Sequence, residues 1–339
     1  MARPGLVLVH LVWAPLGPAP LAGFLDAYAR CDPGARHRLV ILLNGFAADE
    51  DLGPWRRLLE GIDHDELRVE RPMLDIAAYL EAIGSVPAER YCFVNSYSVP
   101  LAEGWLAALE QALLAPGVGL VGASGSWGSL RSYNRFSLGL GGPYARVFDD
   151  RRATAAALAA AGDRRSYEQG PRRREPLRYA RLLLEQSHGF LPFPAAHIRT
   201  TGFMIAHDVL CRLRLTAPRR KADAYRLESG AASITAQVRG LGLSARVVDR
   251  DGRSHEASEW PASRTFWQSH QQNLLIADNQ TAVYAAAELP VRRALSRYAW
   301  GELSDLDGER RPPGGPADEP VRRGERPAAS PSAPPPASS

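Results

Sequence analysis

Cysteine is scarce. The chain carries three, Cys31, Cys92 and Cys211, far apart and never as CxxC. An odd, dispersed set argues against a disulfide framework and fits a reducing compartment. Several chemical signatures are missing too. There is no GxxxxGK[ST] phosphate loop, no GxSxG nucleophile elbow and no HExxH zinc motif. "LGLGG" at 138–142 neither follows a clear strand nor opens a helix, so it reads as a flexible loop rather than a dinucleotide site. The eight histidines are scattered, and His197 and His207, which flank one apolar run, read as structural residues rather than zinc ligands. No basic stripe joins a nucleic-acid-binding motif, which argues against a nucleic-acid partner. The net charge is only +4, much of it in "RRR" at 172–174 and "RRK" at 219–221. That excess allows weak attraction to phosphates or peripheral contact with an anionic membrane surface. The first apolar run is broken by Pro15 and too short to span a bilayer. It reads as a buried strand, and a cytoplasmic location is the expectation.

The C-terminal end lacks what a core needs. From Arg311 to Ser339 there are nine prolines and no Leu, Ile, Phe, Tyr or Trp. Such a segment cannot bury enough surface to offset chain entropy, so 304–339 is expected to be a disordered tail. The rest is rich in apolar residues, 45% over the whole chain, enough for one large domain over 1–303.

Within that domain the pattern alternates. Continuous β-branched and aliphatic runs at 5–15, 37–46, 67–72, 90–96 and 117–126 read as buried strands. Helical spacing of apolar residues recurs at 21–31, 52–62, 75–85 and 101–114. Strand–helix alternation implies right-handed crossovers and a mostly parallel sheet covered on both faces. Ligands then belong at the carboxyl ends of the strands, marked by Trp13–Ala14, Asn44–Phe46, Asn95–Ser98 and Ala123–Trp127. The region 128–190 is looser and reads as a helical insertion or lid. Beyond it come a strand and helix at 197–213, one helix over 226–243, and a hairpin around Asp251-Gly252.

Three segments carry a resemblance: "RPMLDIAAYLEAI…ERYCFVNSYSVPLAEGWLAALEQAL", "HIRTTGFMIAHDVL" and "YRLESGAASITAQVRGLGLSARVV". In order and spacing they resemble the nucleotide-sugar-dependent glycosyltransferases of the GT-A fold, in the large family-two-like group. The likeness covers roughly residues 5–255. The blocks "FVNSYS", "GLVGASGS" and "ADNQT" are similar to glycosyltransferase-like proteins of bacterial polysaccharide loci. The resemblance implies an α/β, GT-A-like, mostly parallel sheet with flanking helices. It also implies hexosyl or deoxyhexosyl transfer from a nucleotide-sugar donor to a saccharide or lipid-linked saccharide acceptor, in bacterial surface polysaccharide synthesis.

Two departures follow. Where the group has Asp-x-Asp, whose carboxylates hold Mg²⁺ or Mn²⁺, this chain has Asn95-Ser96-Tyr97, which brings no charge to a divalent cation. Either other carboxylates hold the metal, or cations and hydroxyls replace it, or the protein is a catalytically degenerate binding or scaffold protein on the same fold. Where the group has a paired acidic motif before a helix, only Glu228 remains, followed by Ser229. Glu228 is the candidate base, with Asp223 in reserve; a place in a helix's first turn is the competing explanation. Arg199, Arg131 and Arg135 are candidate phosphate-facing cations. Asn95, Ser96 and Ser98 are candidate donor-site hydrogen-bonding groups. Asn44 and Asp75 lie where the group contacts the nucleotide, although Asn44 also suits a turn and Asp75 a helix N-cap. Trp127, Trp267 and Asp278 are candidates for the acceptor side, with Gln268 and Asn279 beside them.

Overall fold

The computed structural model describes residues 5–47, 51–69, 71–160 and 187–304, together with Leu177, Arg181 and Leu184. Of the tail expected at 304–339, only Ser304 lies among them. Twelve strands are described. They are β1 (Leu6–Trp13), β2 (Arg38–Asn44), β3 (Asp65–Arg68), β4 (Arg90–Val94), β5 (Val99–Pro100), β6 (Val118–Gly122), β7 (Gly125–Ser126), β8 (His197–Ile198), β9 (Gly202–Ala206), β10 (Ser244–Val248), β11 (Ser254–His255) and β12 (Ile276–Ala277).

Eight of them form one sheet in the order β11-β10-β6-β9-β4-β1-β2-β3. The pairs β1–β2, β1–β4, β2–β3 and β6–β10 are parallel, whereas β9 runs antiparallel between β4 and β6. The sheet is thus mostly parallel with flanking helices, the arrangement the resemblance implied. Alternation along β1 shows how the chain builds it. Val7, Val9 and Leu11 join the core on one face, and Leu6, Leu8 and Val12 join the core on the other. Ala19–Arg30 and Trp105–Leu113 cover the second face, burying Phe24 and Trp105. Asp75–Ser85 covers the first, burying Tyr79 against Phe93 and Phe203.

The helix expected over 226–243 is two helices, Lys221–Ser229 and Ile234–Gly240. The break falls at Gly230, which bridges to Phe190. A Cβ there would lie 2.5 Å from the Arg226 carbonyl oxygen and 2.8 Å from that of Gly189, so only glycine fits. Ser233 then caps the second helix by accepting the Ala236 N–H. Between 128 and 190 the described helices are Leu130–Ser137, Tyr144–Val147 and Arg151–Ala160.

His10 breaks the apolar run of β1. It is fully buried, its ring stacks 3.9 Å from that of Phe24, and neither ring nitrogen has a hydrogen-bond partner. Burial pushes its imidazole down to about 3 from an ordinary 6.5. Between those values the unfolded chain takes up a proton that the folded protein refuses. The stability tied to this residue is therefore full above pH 6.5 and lost as the pH falls towards 3. The loss reaches about 3 kcal/mol by pH 4. In His10→Leu, chemical-denaturation midpoints should fall less between pH 7 and pH 4 than in the wild type. Equal losses in the two proteins would contradict this.

Candidate active site

The carboxyl ends of β1 and β4 open into a cavity of about 1340 Å³. Pockets for a single drug-sized molecule measure roughly 300–1,000 Å³, so this one has room for two substrates side by side. Its floor and walls include Trp13, Asp75, Asn95, Ser96, Tyr97, Arg199, Glu228, Trp267 and Asp278. Eight residues anticipated from the sequence therefore meet in one place: Asp75, Asn95, Ser96, Arg199, Glu228, Trp267, Asp278 and Asn279.

The strand end is shaped by its own short side chains. Asn95 Oδ1 accepts the Tyr97 N–H at 2.9 Å, an Asx turn that bends the chain out of β4. Its amide nitrogen keeps no partner among the described residues and remains a donor in a cavity-lining side chain. Ser96 Oγ accepts the Trp13 N–H at 3.2 Å and ties β4 to β1. The indole of Trp13 lies over Gly45, where a Cβ would come within 2.5 Å of the ring. Tyr97 is 40% exposed, so its ring is offered to the cavity as a stacking surface.

Glu228 enters from the far wall. It sits in the last turn of Lys221–Ser229, not in the first turn of a helix as anticipated. A carboxylate there opposes the helix dipole, at a cost of about 0.3–1 kcal/mol. Thr200 holds it: the Thr200 N–H and Oγ1 both donate to Glu228 Oε1, at 3.3 and 3.2 Å. Oε2 keeps no partner among the described residues. Asp75 faces the same space. Surrounding protein and then the like charge of Glu228 push its carboxyl up, with Lys221 opposing. Its side chain stays open to the cavity, so solvent screens much of that shift. Asp75 is also not a cap: Leu74 holds the N-cap position, and Asp75 is the first helical residue.

Asp278 and Arg199 answer each other. Asp278 caps Asn279–Ala286 by accepting the Thr281 N–H at 2.8 Å. Its Oδ2 accepts from Thr201 Oγ1 at 2.6 Å and from Arg199 Nη2 at 3.1 Å. Burial alone would raise this carboxyl. The Arg199 charge and the bonds from Thr201 and Thr281 outweigh it and leave it lowered. Arg199 also lies 4.0 Å from the Phe266 ring centre, a cation–π contact. Its charge is thus paired with Asp278, while its Nη1 has no hydrogen-bond partner among the described residues.

Seven anticipated residues lie outside the cavity lining, among them Gln268, which is buried and donates to the Leu303 carbonyl. Asn44 is buried and clamps Met73, donating to its carbonyl at 2.8 Å and accepting its N–H at 3.0 Å. It shapes the wall at 72–74 from behind. Ser98 is buried and donates to the Thr201 carbonyl at 2.5 Å. Asp223 closes a capping box with Arg220 and pairs with Arg226, on the outer side of its helix. Trp127 donates its indole N–H to the Ala257 carbonyl at 3.0 Å and packs edge-on against Trp300. Arg131 and Arg135 also lie off the lining, the latter donating to the Leu140 carbonyl. His207, beyond β9, sits at the opposite sheet edge.

Sequence reasoning missed Arg71, Arg219 and Lys221, which line the cavity, and Thr200, which orients Glu228. The "RRK" at 219–221 was visible as a charge cluster; nothing marked Arg71. It also took His197 as structural, yet His197 lines the cavity. Its Nδ1 donates to the Ala195 carbonyl at 2.8 Å, and burial lowers its imidazole against the opposing pull of that bond and of Glu228.

One wall is strained. Arg264, Trp267, Ser269, His270 and Gln271 all have positive φ without being glycine. Each such residue costs roughly 1–2 kcal/mol. The loop is held by the Trp300 indole N–H on the Phe266 carbonyl at 2.8 Å and by Gln271 Nε2 on the Thr281 carbonyl at 2.9 Å. The strain delivers Trp267, stacked on Phe266, to the cavity.

A divalent cation does not fit the strand end, where Asn95, Ser96 and Tyr97 offer no carboxylate. Among the described residues no group of three or more His, Cys, Asp or Glu side chains is placed to hold a metal ion.

Fold and cavity define an α/β protein with a mostly parallel sheet and a candidate ligand site at its carboxyl edge. No protein-family model and no curated protein matches the chain. Among solved structures it is similar to the mannosyltransferase PcManGT from Pyrobaculum calidifontis in complex with GDP-Man and Mn²⁺. The identity is 14%, over 88% of this chain and 70% of that one, with a TM-score of 0.43. It is also similar to glucosyl-3-phosphoglycerate synthase from Mycobacterium tuberculosis in complex with Mn²⁺, UDP and glucosyl-3-phosphoglycerate, at 12% identity over 69% and 63% of the two chains, TM-score 0.33. A third is S. aureus TarS, at 12% identity over 35% of this chain and 21% of that one, TM-score 0.28.

Removing one member of a buried ion pair strands the other, at a cost of about 3–5 kcal/mol. Asp278→Ala should therefore lower unfolding stability by several kcal/mol in chemical denaturation, whereas Asp223→Ala, on an exposed pair, should cost under about 1 kcal/mol. Similar losses in the two variants would contradict the roles given to these carboxylates.

Proposed function

We propose that the protein is a glycosyltransferase that moves a hexosyl or deoxyhexosyl group from a nucleotide-sugar donor to a saccharide or lipid-linked saccharide acceptor. The observation that carries this is Glu228. A carboxylate oriented through one oxygen by Thr200, with the other oxygen unpaired in a two-substrate cavity, suits a general base. In the proposed step Glu228 takes the proton of an acceptor hydroxyl. The acceptor oxygen bonds to the anomeric carbon, the bond from that carbon to the diphosphate breaks, and the nucleoside diphosphate leaves with the electron pair. Asn95 and Ser96 donate hydrogen bonds on the donor side. Tyr97 and Trp267 offer faces that suit sugar rings. The ordered motifs that resemble family-two-like glycosyltransferases support the same reading. They also support a role in bacterial surface polysaccharide synthesis. Three free cysteines fit the cytoplasm, and no helix among the described residues is long and apolar enough to cross a membrane.

The missing carboxylates at Asn95–Tyr97 favour a second reading, a protein that binds a nucleotide sugar without transferring it. A thermal-shift screen of nucleotide sugars followed by a product assay separates the two. The transferase reading expects a donor-induced shift and turnover, with Glu228→Gln losing about 10²–10⁴-fold in rate while keeping the shift. A shift without wild-type turnover supports the binding reading, and no shift with any donor sinks both.

A further inference from the structure

The group that would cross this strand end is a diphosphate, which brings at least two negative charges. Asn95, Ser96 and Tyr97 supply none to a bridging cation, and although Glu81, Asp75 and Glu228 also line the cavity, no group of three or more acidic, His or Cys side chains among the described residues is placed to hold one. Asp278 is saturated by Arg199, Thr201 and Thr281. Glu228 is fixed by Thr200. Asp75 has Lys221 within electrostatic reach. The lining does hold cations. Arg71 and Arg219 are exposed, and neither has an ion pair or hydrogen bond among the described residues. Lys221 lines the same space.

The backbones of Arg71 and Arg219 are anchored although these two side chains make no ion pair or hydrogen bond among the described residues. Arg71 begins the segment that Asn44 clamps at Met73. Arg219 precedes Arg220, whose N–H is held by Asp223 in the capping box. The helices Asp75–Ser85 and Lys221–Ser229 pack against each other, which brings the two segments to one side of the cavity. A guanidinium presents a planar fork of donors that matches phosphate oxygens two at a time. An unpaired arginine also breaks no existing bond to bind one.

From these observations we infer that Arg71 and Arg219, with Lys221, hold the diphosphate of the bound nucleotide directly, in place of a divalent metal. The inference rests on the nucleotide-sugar reading of the cavity and assigns the charge-neutralising role within it. Arg199, one of the three cations named from the sequence, already has its charge offset by Asp278 and its guanidinium stacked on Phe266, so it is not given that role even though its Nη1 has no partner among the described residues.

The test is calorimetric titration of the full chain with UDP, GDP and inorganic pyrophosphate, in EDTA and again in Mn²⁺. The wild type should bind a nucleoside diphosphate in EDTA. Arg71→Ala and Arg219→Ala should each weaken binding about tenfold, and both together about a hundredfold, with a shallower salt dependence. Both side chains are exposed, so unchanged thermal unfolding without ligand shows that folding is intact. Nucleotide binding that requires Mn²⁺, or variants that bind as the wild type does, overturns the inference and leaves the nucleotide reading standing. Pyrophosphate bound in EDTA and weakened by the variants, with no nucleotide bound, upholds the diphosphate site and overturns the nucleotide reading. Binding of neither overturns both.

Discussion

The site depends on one reversed strand. Because β9 runs antiparallel between β4 and β6, the residues leading into it arrive at the edge where β4 ends. The Thr201 carbonyl accepts the Ser98 hydroxyl at 2.5 Å and pins the turn after Asn95. Thr200, its neighbour, orients Glu228. Arg199, one residue earlier, binds the Asp278 cap of the helix that backs the strained loop. A parallel β9 would place 199–201 at the other end of the sheet and dismantle all three contacts. The sheet thus sets the site through chain direction, and the side chains follow.

The cavity sorts its charges by burial. Asp278 is buried, Arg199 is largely so, and the two are paired with each other, so their charges largely offset and serve the architecture, although Arg199 Nη1 has no partner among the described residues. Glu228, Asp75, Arg71 and Arg219 stay partly or wholly accessible, so theirs remain available to a ligand. The strained segment at 264–271 follows the same logic. Its unfavourable backbone is offset by buried side-chain-to-carbonyl bonds from Trp300 and Gln271, and Phe266 and Trp267 gain a fixed place on the wall.

Much of the sheet was legible because buried parallel strands read as continuous apolar runs, as "LVLVHLVW" does. The reversal of β9 was not legible, since "GFMIA" carries no mark of direction. The single helix anticipated over 226–243 breaks at Gly230, which bridges to Phe190, a partner distant in sequence. In the site, Asn95, Ser96, Arg199, Glu228 and Asp278, anticipated by residue type, all line one cavity. It did not separate side chains facing the cavity from those turned into the protein. Ser98 and Ser96 look alike in "NSYS", yet one is a latch to Thr201 and the other a wall residue. Asp223 and Glu228 share a helix, and only their angular positions on it divide a surface capping box from the cavity. Arg71 and Arg219 carry no local signature, because their importance comes from the missing carboxylates across the cavity.

A crystal structure of the protein with a nucleotide sugar is the most direct measure of the central claim. The account places the diphosphate between Asn95–Tyr97 and the side chains of Arg71 and Arg219, with the sugar facing Glu228 Oε2. A donor bound at any other surface, or a sugar turned away from Glu228, would contradict it.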